Sequence, residues 1–215
     1  MKFAKKSLGQ NFLIDKNIIK KIINLTTIKN KNIIEIGPGK GALTEEILKL
    51  KPRSLIAIEK DTLLSNDLKI KYSKEKNVII YNKDILKFDI EKICKRNTII
   101  FGNLPYNISS QILVKIIKHK KWPPKFQDLI LMFQKELAER IIGAYKTKSY
   151  GRLSILTNLR LSIHKQFLVS PNCFVPKPKI NSLVIQFKPK KKFTAIKNIS
   201  NLEKITNILF SNKRK

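Results

Sequence analysis

Asn103-Leu104-Pro105-Tyr106 is the stretch of this chain with the most specific chemistry. Pro105 fixes its own φ and biases Leu104 toward an extended conformation, so the Asn103 amide oxygen and the Leu104 carbonyl point at one donor group. Tyr106 adds a ring face, and stacking of a base on such a face is worth about 1–3 kcal/mol in nucleic-acid sites. Two acceptors beside an aromatic shelf describe a pocket for an exocyclic amine; the structural alternative is an Asn-x-Pro turn with a buried tyrosine.

Three further features lie upstream. Glu35-Ile36-Gly37-Pro38-Gly39-Lys40-Gly41-Ala42 is a glycine-rich turn whose glycines permit positive φ and close approach of a ligand to the backbone. Glu59 follows 20 positions after Gly39, where an acid hydrogen-bonds ribose hydroxyls. Pro38 removes one N–H from the loop, which weakens it as a pyrophosphate nest and favours a nucleoside ligand without phosphate. Asp84 has two readings that the residues leave open: an acceptor for the amine of an adenine ring, or the N-cap of a helix after it.

These residues need a scaffold, and the chain supplies one. Short β-branched runs, Ile33–Ile36, Leu55–Ile58, Val78–Tyr81, Thr98–Phe101 and Leu129–Phe133, alternate with stretches of helical spacing such as Leu43–Leu50 and Ile108–Ile117. Continuous apolar strands between helices predict an α/β doubly wound parallel sheet, with ligands bound at the strands' C-terminal ends. Ser182–Phe187 follows the proline-rich stretch 171–178 and reads as an antiparallel last strand. Beyond Pro189 the composition shifts to Lys190-Lys191-Lys192 and a polar helical stretch, so the division expected is 1–189 and 190–215.

Charge narrows the partner. Lys and Arg total 45 against 15 acidic residues, a formal net charge of +30, which favours a polyanion. Only six of these cations are arginines, so part of the excess reflects a compositional bias toward lysine. Lys118, Lys120, Lys121 and the 190–192 cluster are candidate phosphate contacts, although each singly reads as a solvated charge. Cys94 and Cys173 are isolated, and His119 and His164 lack metal-ligand spacing, which predicts no disulfide and no metal site, the histidines serving as surface or packing residues. Trp122 is expected to pack beneath the strand that follows it, and Phe12 to lie near substrate or cofactor. No secretory or membrane-spanning segment is evident, which predicts a cytoplasmic protein without membrane partner.

Taken in order, Lys5–Leu13, Glu35–Gly41, Glu59, Asp84 and Asn103–Tyr106 resemble the motifs of the rRNA adenine N6-methyltransferases. Gln134-Lys135-Glu136, Tyr150–Ser154 and Phe174–Lys179 are similar to the small-subunit dimethyladenosine transferase branch of that family. The resemblance implies a mostly parallel seven-stranded, Rossmann-like sheet of the class I S-adenosylmethionine-dependent methyltransferases. It implies cofactor binding by Asn11, Leu13, Gly37, Gly39, Glu59 (ribose), Asp84 (adenine) and Asn103, and a catalytic motif of Asn103, Leu104, Pro105 and Tyr106. The substrate implied is two adjacent adenines in a hairpin near the 3′ end of small-subunit rRNA, each dimethylated at N6 by a monomeric enzyme during ribosome biogenesis. Phe210–Lys215 resembles the opening of the family's small helical C-terminal domain, so only the start of that domain is expected. Three alternatives stay open: a nicotinamide oxidoreductase, which leaves Asn103–Tyr106 and the charge without a role; a non-catalytic RNA-binding assembly factor; and a resistance-type large-subunit rRNA methyltransferase.

Overall fold

The computed structural model describes residues 4–5, 8–191 and 198–211. Its centre is a seven-stranded sheet containing β2 (Asn32–Ile36), β3 (Ser54–Glu59), β4 (Val78–Asn82), β5 (Thr98–Asn103), β6 (Phe126–Gln134), β7 (Leu161–Val169) and β9 (Ser182–Pro189), in the spatial order 4-3-2-5-6-9-7. The five strands from β4 to β6 run parallel, whereas β9 is antiparallel to β6 and β7 is antiparallel to β9. A separate two-stranded ladder pairs β1 (Phe12–Leu13) with β8 (Phe174–Val175).

Strand alternation explains why both faces are covered. Ile34, Ile100, Leu129, Leu131 and Phe133 enter one core cluster, while their neighbours Ile33, Ile99, Phe101, Ile130 and Met132 enter the other. The first cluster is closed by α5 (Ser109–Ile117) and α6 (Lys135–Ile142), the second by α1 (Lys16–Ile23) and α2 (Ala42–Lys49). Short acids start three of the helices. Asp15 accepts from the amides of Asn17 and Ile18 at the head of α1, Asp61 caps α3 (Thr62–Lys71), and Asp89 caps α4 (Ile90–Ile93).

The doubly wound reading therefore holds, and Ser182–Phe187 is antiparallel as expected. It is not the edge of the sheet, however. The edge is β7, a strand the sequence does not announce because its residues from Ser162 to Gln166 are exposed and carry no apolar alternation. The helix before it, α7 (Arg152–Arg160), was likewise not anticipated; it packs against α5 and α6.

Past residue 189, α8 (Ile199–Ser211) is joined to the sheet domain by ion pairs. Glu203 meets Lys118 at 2.8 Å and Arg152 at 2.6 Å. Lys118 is thus ion-paired within the protein, with its side chain 37% exposed. The Lys190 ammonium bonds the Asn158 carbonyl. Lys120 and Lys121 use their backbone amides to hold the Glu91 carboxylate. Lys6, Ser7, Lys192 and 212–215, which belong to stretches named above, lie outside the described residues.

Candidate active site

Strand order reverses between β2 and β5, and at such a point the loops leaving adjacent strands diverge and open a crevice. Ile36 is in register with Gly102, so Gly37 and Asn103 leave the sheet side by side. A side chain on Gly37 would lie 3.6 Å from the Asn103 carbonyl oxygen. A cavity of about 320 Å³ occupies this crevice, and all ten site residues expected from the sequence line it: Asn11, Leu13, Gly37, Gly39, Glu59, Asp84, Asn103, Leu104, Pro105 and Tyr106.

The glycines here are required by backbone geometry. Gly37 and Gly39 have φ of +68° and +60°, and a Cβ on Gly39 would lie 3.0 Å from the Phe12 ring. The Gly39 N–H donates to one oxygen of Glu59 at 3.0 Å and the Asp61 N–H to the other at 2.8 Å. Burial pushes the Glu59 carboxyl up, and those amides work in the opposite direction. Each carboxylate oxygen retains further capacity to accept a hydrogen bond.

Asn103 closes β5 and donates its amide N–H to the Asn11 carbonyl at 3.1 Å, which leaves its amide oxygen as the acceptor. Asp84 caps a turn rather than the helix that one of its sequence readings expected. One oxygen accepts from the Leu86 amide at 2.9 Å and the other meets Lys60 at 2.9 Å, but the segment it starts is a turn, and the helix begins only at α4. Lys60 and these bonds hold the Asp84 carboxyl below the usual range.

The N-terminal segment forms one wall of the cavity. Phe12 and Leu13 pair with Val175 and Phe174, and the Lys40 ammonium sits 4.8 Å from the centre of the Phe12 ring. Asp61 fastens the segment further: it accepts from Gln10 at 3.2 Å and pairs with Lys5 at 2.9 Å. Burial works against its charge, yet Lys5, Gln10 and the amides of Leu63 and Leu64 outweigh it and hold the Asp61 carboxyl low.

Four residues of this region were not singled out by the sequence. Gln10 and Asp61 bind each other; the helix-cap position of Asp61 was the available signal. Glu35 is buried beneath the loop, accepts from the Thr44 hydroxyl at 2.6 Å, and is pushed up to about 7, first by desolvation. Ser182 bonds the Tyr106 hydroxyl at 2.7 Å.

Other expectations concern packing. His119 is buried edge-on to Phe126, and desolvation lowers its pKa; His164 is exposed. Trp122 packs against Phe126 on the following strand and stacks on Arg160. Cys94 and Cys173 are free thiols. Among the described residues no group of His, Cys, Asp or Glu is placed to hold a metal, and no helix is long and apolar enough to cross a membrane.

Comparison with known proteins adds four findings. A family model described as ribosomal RNA adenine dimethylase matches residues 1–215. The ribosomal RNA small subunit methyltransferase A of Pelagibacter ubique (strain HTCC1062) is 49% identical over 212 residues, covering 99% of this chain and 80% of that protein. Among solved structures, a dimethyladenosine transferase from Plasmodium falciparum superposes with a TM-score of 0.82 at 31% identity, over 95% of this chain and 72% of that one. The 23S rRNA methyltransferase ErmE shares the fold at a TM-score of 0.72 and 24% identity, over 93% and 77% of the two chains.

Proposed function

Since the chain belongs to the ribosomal RNA adenine dimethylase family, an S-adenosylmethionine-dependent methyltransferase of rRNA adenine, we propose that it dimethylates N6 of two adjacent adenines in a hairpin near the 3′ end of small-subunit rRNA and so contributes to ribosome biogenesis. The observation that supports this most is the fixed Asn103 amide. Its N–H is held by the Asn11 carbonyl, and the residue lines a cavity shared with the glycine loop and Tyr106.

The residues present suit S-adenosylmethionine. The loop has no room for side chains at Gly39, Glu59 is a buried carboxylate oriented by two amides, and Asp84 stands at the adjoining strand end. Gly37, Gly39, Asn11 and Leu13 would enclose the cofactor, Glu59 would accept from its ribose hydroxyls, Asp84 from its adenine amine, and Asn103 would lie beside its methionine part. When bound, this group supplies an electrophilic methyl on a sulfonium.

The protein's own task is then positioning. A target adenine has to leave its stack to reach the cavity, and Tyr106 offers the face on which it rests. Its exocyclic nitrogen is a poor nucleophile because the lone pair is delocalised into the ring. Acceptance of its N–H bonds by the Asn103 amide oxygen and the Leu104 carbonyl favours a pyramidal nitrogen with the lone pair directed at the methyl. Pro105 holds those two acceptors in one orientation. No carboxylate is needed as a strong base, since the proton becomes acidic once the methyl has transferred.

We take 1–189 as the catalytic unit and 190–215 as the opening of a further helical element, with the enzyme acting as a cytoplasmic monomer. Labelled methyl transfer to unmethylated small subunits, with nucleoside analysis of the product, tests the assignment. Dimethyladenosine supports it; transfer to large-subunit rRNA alone, or none by a protein that binds cofactor, overturns it.

A further inference from the structure

The Tyr106 hydroxyl lies 2.7 Å from the hydroxyl of Ser182, a contact that spans 76 positions of sequence. Tyr106 stands in the loop between β5 and α5. Backbone bonds close this loop: the Ile108 amide donates to the Pro105 carbonyl and the Ser109 hydroxyl to the Tyr106 carbonyl, both at 3.2 Å. They fix the main chain and leave the ring's two side-chain torsions open. Ser182, by contrast, is a fixed point. It opens β9, is fully buried, and pairs with Gln134 of β6 on one side and Val169 of β7 on the other. It is also the only hydroxyl in that strand, which continues Leu183-Val184-Ile185. A hydroxyl buried among such neighbours is costly without a partner, and a tyrosine with one polar end supplies it.

We propose that Ser182 is a positioning residue for methyl transfer: its hydroxyl fixes the plane of the Tyr106 ring, so that a stacked base brings its amine to the acceptors at Asn103 and Leu104. This rests on the reading of Tyr106 as the stacking shelf. Ser182 acts only through the tyrosine. Its loss lowers the rate at which a bound base reacts. Cofactor binding is made by other residues and is unchanged. RNA affinity is unchanged as well, being set mainly by phosphate contacts.

The test is a double-mutant cycle of S182A, Y106F and their combination, with S182T as the variant that retains the hydroxyl. Turnover falls about fivefold in each single variant, the size set by one neutral hydrogen bond. It falls no further in the double variant, and S182T keeps most of it. The Michaelis constant for RNA and the cofactor dissociation constant stay within about twofold of the parent. Wild-type turnover in S182A, multiplicative losses in the double variant, or a parallel loss of cofactor affinity each overturn the proposal. Should S182A not fold, Y106F decides: a fivefold loss supports the inference and none refutes it. Y106A separates the two levels. Full activity in Y106A removes the shelf reading itself, whereas an inactive Y106A beside fully active S182A and Y106F removes only the role of Ser182.

Discussion

Replacing Glu35 with glutamine should change how stability depends on pH. Glu35 is 2% exposed, and desolvation raises its pKa from 4.5 to about 7, against the Thr44 hydroxyl bond that lowers it. The folded protein therefore binds this proton more tightly than the unfolded chain does. The stabilisation from this group is complete below 4.5 and is lost as pH rises through about 7. A difference of that size corresponds to about 3 kcal/mol. Urea unfolding of the parent and E35Q across pH 4.5 to 8 isolates the effect, because titrations of other groups, His119 among them, cancel in the difference. Parent stability minus variant stability should fall by about 3 kcal/mol over that range, most steeply midway between 4.5 and about 7, where the folded protein still holds the proton and the unfolded chain has lost it. A difference that stays flat, or one that grows with pH, would show that Glu35 is not held neutral beneath the loop.

Gly39→Ala introduces a side chain at φ +60° and 3.0 Å from the Phe12 ring, so cofactor affinity measured by calorimetry should drop about tenfold or more; unchanged affinity would refute the cradle. Asp61→Asn keeps a competent cap for α3 and removes the charge that pairs with Lys5. Stopped-flow should show cofactor leaving about two to three times faster at low salt, with the variant less sensitive to added salt than the parent; identical rates would show that Asp61 does not fasten the N-terminal segment. Glu203→Gln removes both ion pairs that join α8 to Lys118 and Arg152, and hydrogen exchange in α8 should accelerate while cofactor affinity stays the same. Unaltered exchange would mean that apolar packing alone holds the helix.

The parallel half of the fold was legible because Ile33–Ile36, Thr98–Phe101 and Leu129–Phe133 are buried on both faces and so read as dense apolar runs, interrupted only by Glu35 and opened by Thr98. β7 was not legible: an edge strand is exempt from that requirement, and its Ser162, His164, Lys165 and Gln166 resemble a loop. The site was legible where backbone geometry demands a residue type, as at Gly37, Gly39 and Pro105. It was obscure where the contact joins distant segments. Nothing local to Ser182 announces Tyr106, and nothing local to Gln10 announces Asp61. Charge was the least specific guide, since a lysine held by Glu203 and one facing solvent look alike in sequence.

The central claim is that Asn103 and Leu104 hold an adenine amine for methylation, and Asn103 gives the most direct measurement. Its amide N–H is held by the Asn11 carbonyl, and the proposed function gives its oxygen to the substrate. Single-turnover transfer of labelled methyl to unmethylated small subunits should therefore form dimethyladenosine with the parent protein. With Asn103→Ala it should slow by about 100-fold or more, the scale of removing one preorganised hydrogen-bonding group at a reacting centre. Dimethyladenosine formed by the variant at the parent rate would contradict the account.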